Sequence, residues 1–265
     1  MPKLSLSKAW DDTRAVLARD GKLIGAVALA LVYLPGVIAG VIDPDQTPAD
    51  IMAGGTAAWL TLATALIGLV GQLAMIRLVL GPATSVGDAI AHGARRLPVY
   101  LGGTLLWMLP LVVLIILFGK NLVADPKAES PGEALVILIV ICALVYLTVR
   151  LILVSAVASA EPVGPAGMLK RAWALGSGNW WRLFAFVLML GVATLIVLGV
   201  LGMASGIIAQ LVFGAIEPMS VSALLVALIT EIGSVLVTIV FITMIARLYA
   251  QASGLATASV PSSGT

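Results

Sequence analysis

Glu231 is a carboxylic acid about eleven residues inside the apolar run 221–246, and its position makes a stronger physical demand than any other in the chain. An ionised group at that depth in hydrocarbon costs at least ~2.5 kcal/mol unless it is paired, protonated or hydrated, so its side chain is expected to face protein or a cavity. Ala227, Thr230, Ser234 and Thr238 fall on the same side at helical spacing. Such a stripe serves close packing with interhelical hydrogen bonds, or it lines a transport or proton-relay path; the residue types admit both.

Hydrolytic chemistry needs a positioned base or a metal, and few residues here could supply either. The one histidine, His92, follows Asp88 by four residues, the spacing of an exposed helical ion pair. Asp43, Asp45 and Asp50 alternate with Pro44 and Pro48, which reads as a solvated, turn-rich loop; calcium binding is the other use of clustered carboxylates. The lone cysteine, Cys142, lies in an apolar run and excludes an intrachain disulfide, a thiol pair and a cysteine zinc set. The expectation is a non-enzymatic protein with no metal and no cofactor.

The cations follow a pattern. Arg77, Arg150 and Arg247 end apolar runs in similar steps, Ile76-Arg77-Leu78, Val149-Arg150-Leu151 and Ala246-Arg247-Leu248. There their stems can snorkel to lipid phosphates; alternatively they converge on an anionic headgroup or pair with Glu161. Arg150 is the preferred contact, because apolar residues continue over 151–159. Lys170, Arg171 and Arg182 stand beside Trp173, Trp180 and Trp181, a set suited to the headgroup layer, where indoles are half wet and cations meet phosphate. Anchoring and specific headgroup recognition are the two readings of that set, and Trp10 is a further interfacial anchor.

The elements that must position these residues follow from composition. With 61% hydrophobic and 11% charged residues and a mean hydropathy of +1.13, the chain lies far from soluble averages. Six runs approach or exceed the roughly 20 apolar residues a transmembrane helix needs: 23–42, 56–80, 99–118, 134–158, 183–203 and 221–246. Of the 15 lysines and arginines, only Lys120 and Lys127 fall outside the segments assigned to one face, and the positive-inside rule then places both termini in the cytoplasm. Basic residues in short clusters between apolar runs argue against nucleic acid as a partner. The charged stretch 3–22 is too long and too acidic for a secretory leader, so the first run is read as uncleaved. The uncharged stretch 183–216 is longer than one simple span, and a bend near Gly199, Gly202, Ser205 and Gly206 is expected.

Self-similarity divides the chain further. Gly81-Pro82-Ala83 and Gly164-Pro165-Ala166 recur at an offset of 83 residues, each opening a mixed polar segment, and Ala9-Trp10 echoes Ala172-Trp173. The first opener is expected to turn Leu6, Trp10 and Leu17 to an apolar side, and Ser85-x-x-Asp88 to cap the second. The expected fold is all-α: one integral membrane domain over 1–251, with six transmembrane helices in three helix-plus-hairpin repeats (about 1–80, 81–162 and 163–251) and interfacial amphipathic helices. A disordered tail is expected over 252–265. Gly36-x-x-x-Gly40 and Gly202-x-x-x-Gly206 permit close helix contacts.

Arg150-Leu151, Glu161, Gly164-Pro165, the run Leu169-Lys170-Arg171-Ala172-Trp173-Ala174-Leu175 and Gly178-Asn179-Trp180-Trp181-Arg182-Leu183-Phe184 together resemble the membrane-domain family named after glycerophosphoryl diester phosphodiesterases. Ala172 stands where that family usually has a serine. The resemblance implies a bacterial inner-membrane location and an association with glycerophosphodiester metabolism. It implies no catalysis here, because in multidomain relatives hydrolysis belongs to a separate soluble barrel. The functional expectation is a lipid-interacting or scaffold component of envelope metabolism, with membrane lipids and a protein partner or second copy as its contacts. A transporter or channel for a small or lipidic substrate is the alternative.

Overall fold

The computed structural model describes residues 4–44, 47, 54–81, 85–123 and 131–255. Asp45, Pro48, Asp50, Pro82-Ala83, Lys127 and residues 256–265 of the expected tail lie outside them. The described residues are mostly helical, with no strand among them. In chain order the helices are α1 (Leu6–Ala28), a π-helical turn (Leu29–Tyr33), α2 (Leu34–Ile42), α3 (Thr56–Leu80), α4 (Val86–Val123), α5 (Pro131–Arg150), α6 (Val154–Ala160), α7 (Pro165–Gly176), α8 (Trp180–Phe213) and α9 (Val221–Ser253).

Five stretches among the described residues are long and apolar enough to cross a membrane: Leu6–Ile42, Ala58–Leu80, Leu138–Ala160, Trp180–Phe213 and Val221–Ser253. The expected third run, 99–118, lies inside α4.

Local chemistry sets several boundaries. Ser5 and Ser220 cap α1 and α9, each hydroxyl accepting a backbone N–H of the first turn, and Ser85 accepts the Asp88 N–H at 3.1 Å as its spacing predicts. Pro35 has no N–H to give to the carbonyl four residues back, and the preceding turn widens, with Leu34 N–H reaching Leu29 O instead. Gly254, at φ +81°, ends α9 in the left-handed region.

In three places the chain departs from the sequence expectation. The first two openers are not separate helices: α1 runs unbroken into the first apolar run, and α4 carries the second opener straight into the third. Neither junction holds a turn cluster, and Pro98 is absorbed within α4. The third opener does separate, as α7, because Ser177-Gly178-Asn179 follows it with Gly178 at φ +78°. On α1 the buried face is Ala9, Thr13 and Val16, and Trp10 is exposed.

The uncharged stretch is not interrupted. α8 is one helix of 34 residues, about 51 Å at 1.5 Å per residue. Without proline, its glycines cost only propensity, and in apolar surroundings an intact helix keeps every backbone group bonded. Gly202 and Gly206 have no neighbouring atom within 4 Å of where a β-carbon would stand, so the second Gly-x-x-x-Gly makes no close contact in this chain.

The fourth run, by contrast, is cut. Residues 151–153 form a turn after Arg150, and α6 re-enters the interior with Val154 to Ser159 all buried. Ser159 Oγ donates to Leu73 O at 2.9 Å, fastening α6 to α3.

α3 and α9 are the hub of the bundle. α9 packs on α1, α2, α3 and α8, α3 packs on α4 and α6, and α7 lies across α4. The buried core gathers at the basic end, from Leu4, Val16 and Ile24 through Leu73 to Ile76, Leu153 to Ala158, and Ile242 to Ala250. Away from it the helices present large apolar side chains outward, among them Leu195, Val200, Met203 and Leu211 of α8.

Candidate functional site

At the basic end Arg150 closes α5. Its guanidinium lies 4.7 Å from the Trp173 ring centroid and donates to Gly176 O, the last residue of α7, at 3.1 Å. Tyr146 stacks on Trp180 at 5.7 Å, Trp180 stacks on Phe184 at 5.1 Å, and Trp181 is 74% exposed. Lys170 and Arg171 are exposed on α7. A cation over an indole at a helix C-terminus is held by the ring quadrupole and by the terminal carbonyls together.

The three similarly placed arginines do not converge. Arg247 donates to Val79 O, in the last turn of α3, at 3.2 Å, and Arg77 lies beside Gly81 in that same turn. Each sits at a helix C-terminus, where the backbone carries partial negative charge. Nor does Glu161 pair with any of them. Its Oε1 accepts from Arg171 Nε at 2.9 Å and from the buried Tyr249 hydroxyl at 2.8 Å, tying α7 to α9, and this bond pushes the Arg171 pKa up. Arg182 is likewise turned to structure, donating to Leu4 O at 2.6 Å, while Leu4 N donates to Asn179 Oδ1 at 3.1 Å.

His92 is not paired with Asp88, whose Oδ2 accepts from Ser85 at 2.7 Å. Its Nε2 lies 2.8 Å from Ser159 O, so a neutral ring donates there and joins α4 to α6. Desolvation pushes its pKa below the ordinary histidine value, and Arg77, Arg96 and Arg95 push the same way, against the rise from the Ser159 hydrogen bond.

Glu231 faces protein, as its depth requires. The carboxylate lies against the backbone of α2: a β-carbon on Gly36 would stand 2.5 Å from Oε2, and one on Gly40 would meet the Ala227 side chain at 3.2 Å. The first Gly-x-x-x-Gly thus takes the Ala227 and Glu231 side chains into its groove, with the helices antiparallel. Thr230 donates to Val226 O of its own helix at 2.7 Å, and Ser234 is partly buried. The π-helical turn ends two residues before Pro35, close to this carboxylate.

Between the helices lies a cavity of about 640 Å³, open on the side of Thr148, Gly191 and Leu195, with walls from α3, α4, α5, α6, α8 and α9 and the turn 151–152. Its lining holds no charged residue. Most of the wall is apolar, but Gln72, Trp107, Thr148, Ser155 and Thr238 line it, each from a different helix. No group of three or more metal-ligating side chains occurs among the described residues.

A family model described as Domain of unknown function (DUF7847) matches residues 4–252. The chain belongs to that family. No curated protein and no solved structure matches it.

Of the residues singled out beforehand in this DUF7847 chain, the bundle joins Arg150 with Trp173 and Trp180, and Glu161 with Arg171. It keeps Arg77 and Arg247 apart from that cluster, and Glu231 apart from the cavity. The polar cavity lining was missed except for Thr238. The available signal was a lone polar residue inside an otherwise apolar run, such as Gln72 or Thr148.

Proposed function

We propose that this protein is a non-enzymatic integral membrane component that binds membrane lipid at its basic end, in the manner of the glycerophosphoryl diester phosphodiesterase membrane domains it resembles. The carrying observation is the Arg150 guanidinium over Trp173 beside exposed Trp181, placed where α5 and α8 leave their apolar stretches. Indole and guanidinium at that level suit the boundary where acyl chains give way to phosphate.

In this reading the chain forms six spans in three repeats, α4 supplying the span beyond the five apolar stretches. Both termini face the cytoplasm, following the distribution of cations, and the membrane is the bacterial inner membrane. Its partners are lipids and a protein or second copy of the chain. The test is native mass spectrometry of the gently solubilised protein. Anionic phospholipid is retained by the parent and lost severalfold by Arg150→Gln with Lys170→Gln; equal retention of anionic and zwitterionic lipid, unchanged by those substitutions, contradicts the proposal.

Glu231 favours a second reading, transport of a small or lipidic substrate, because an acid beside a π-helical turn is a place where a span can bind and release a cation or proton. A Glu231→Gln protein that folds normally but loses flux in liposomes supports transport. Unchanged flux with lowered thermal stability assigns the acid to packing.

A further inference from the structure

We infer that the cavity among α3, α4, α5, α6, α8 and α9 is a binding site for an uncharged amphiphile, a long apolar body carrying a hydroxyl or carbonyl oxygen. The inference extends the lipid reading above to a second site with a different ligand chemistry.

Three observations carry it. At about 640 Å³ the cavity falls within the range of small-molecule sites, ~300–1,000 Å³, and has the composition such sites share: apolar walls with few convergent polar groups. Among the described residues, the Gln72 carboxamide, the Trp107 indole N–H and the hydroxyls of Thr148, Ser155 and Thr238 hydrogen-bond no protein group. Ser155 is only 4% exposed as a residue, and it lines the cavity with a hydroxyl that has no protein partner. Gln72, Trp107 and Thr238 are half-buried and Thr148 is exposed, and with Ser155 they offer one space both donors and acceptors, which fits a ligand able to accept and to donate.

The third observation fixes the ligand's charge. With no lysine, arginine, histidine or carboxylate in the lining, an ionised ligand would enter without a counter-charge and lose its hydration uncompensated. A pure hydrocarbon would leave the carboxamide and hydroxyls unmet. A neutral molecule with one or two oxygens avoids both costs.

The test measures binding of radiolabelled hexadecanol to the full chain in detergent micelles, with hexadecane and palmitate, the latter kept ionised at alkaline pH, as competitors of equal chain length. Hexadecanol binds saturably at one site, and each competitor is weaker by about tenfold or more, the loss expected for one unmade hydrogen bond or one buried charge. Ser155→Ala weakens hexadecanol by a similar factor. Gly191 lines the cavity, and a β-carbon there meets nothing within 4 Å. Gly191→Leu therefore fills the space from a helix that gains propensity, and it abolishes hexadecanol binding while anionic phospholipid retention at the Arg150 cluster stays at the parental level. Thr238→Val, nearly isosteric, repeats the weakening if the leucine variant is not monodisperse. Hexadecane or palmitate competing as well as hexadecanol, or saturable binding unaffected by Ser155→Ala and Thr238→Val, overturns the assignment. Either result leaves the lipid reading of the basic end standing, since that reading fails only on phospholipid retention.

Discussion

Arg150 and Gly176 hold each other twice: the guanidinium donates to Gly176 O at 3.1 Å, and Gly176 packs so close to the Arg150 carbonyl that a β-carbon would lie 2.8 Å from its oxygen. This contact joins the end of α5 to the end of α7, the helix that carries Trp173 under the guanidinium.

Lysine cannot reproduce it. Arg150→Lys keeps the charge but loses the planar stack over Trp173 and the geometry of the bond to Gly176. Its cost is about 1–3 kcal/mol, from a charged hydrogen bond and a cation–π contact. Gly176→Ala, which forces a methyl onto a backbone oxygen, costs a comparable ~1–3 kcal/mol. Unfolding midpoints in detergent check both, and two variants equal to the parent would contradict the contact's role.

The Gly36 and Glu231 pair makes a coupled prediction. Gly36→Val pushes a branched side chain into the carboxylate and destabilises by ~1–3 kcal/mol. Glu231→Ala in the same chain removes the obstacle, so the double variant recovers at least ~0.5 kcal/mol over the sum of the singles. Strict additivity in a thermal double-mutant cycle would show that the two do not touch.

His92 gives a pH dependence of known sign. Its folded pKa lies below the ordinary ~6.5, so between those values the unfolded chain binds more protons. The stability tied to the neutral ring is fully present above pH ~6.5 and is lost as pH falls through the folded value. His92→Gln flattens this part of the profile, measured as unfolding midpoint from pH 8 to 5 in steps of about half a unit. A parental midpoint that rises on acidification over that window would contradict the assignment.

Tyr249 tests the Glu161 cluster. Tyr249→Phe removes one bond to Glu161, leaves Arg171 in place and costs about 1 kcal/mol. Glu161→Leu strands the buried hydroxyl and costs more, ~1–3 kcal/mol, because an unmade bond is worse than an absent one. Equal unfolding midpoints for the two variants would remove Glu161 as the link between α7 and α9.

The sequence carried some of this plainly. The run at 56–80 becomes α3 to the residue, the run at 221–246 opens α9, which continues to Ser253, Ser85 caps α4, and the depth of Glu231 required a protein neighbour, found in Gly36. The break at 151–153 was hidden, because no glycine or proline marks it; it adjoins a contact between Arg150 O and Gly176, which lies on another helix. Gly199, Gly202 and Gly206 lie within an unbroken α8, since an apolar helix without proline absorbs them. The cavity was hidden for a third reason. Its polar groups arrive singly from separate helices, and only Thr148 and Ser155 lie near each other in the sequence. The partners of Arg150 and Arg247 were also illegible, because each is a backbone carbonyl at the end of another helix, Gly176 O and Val79 O, which no side-chain pattern marks.

The most direct measurement of the central claim is photo-crosslinking with a phospholipid carrying a diazirine near its headgroup, mapped by peptide mass spectrometry on the protein in membranes. The account predicts labelling concentrated over 150–182, around Arg150, Trp173 and Trp181, and reduced in Arg150→Gln. Labelling spread evenly over every helix end, with no preference for that segment, would contradict it.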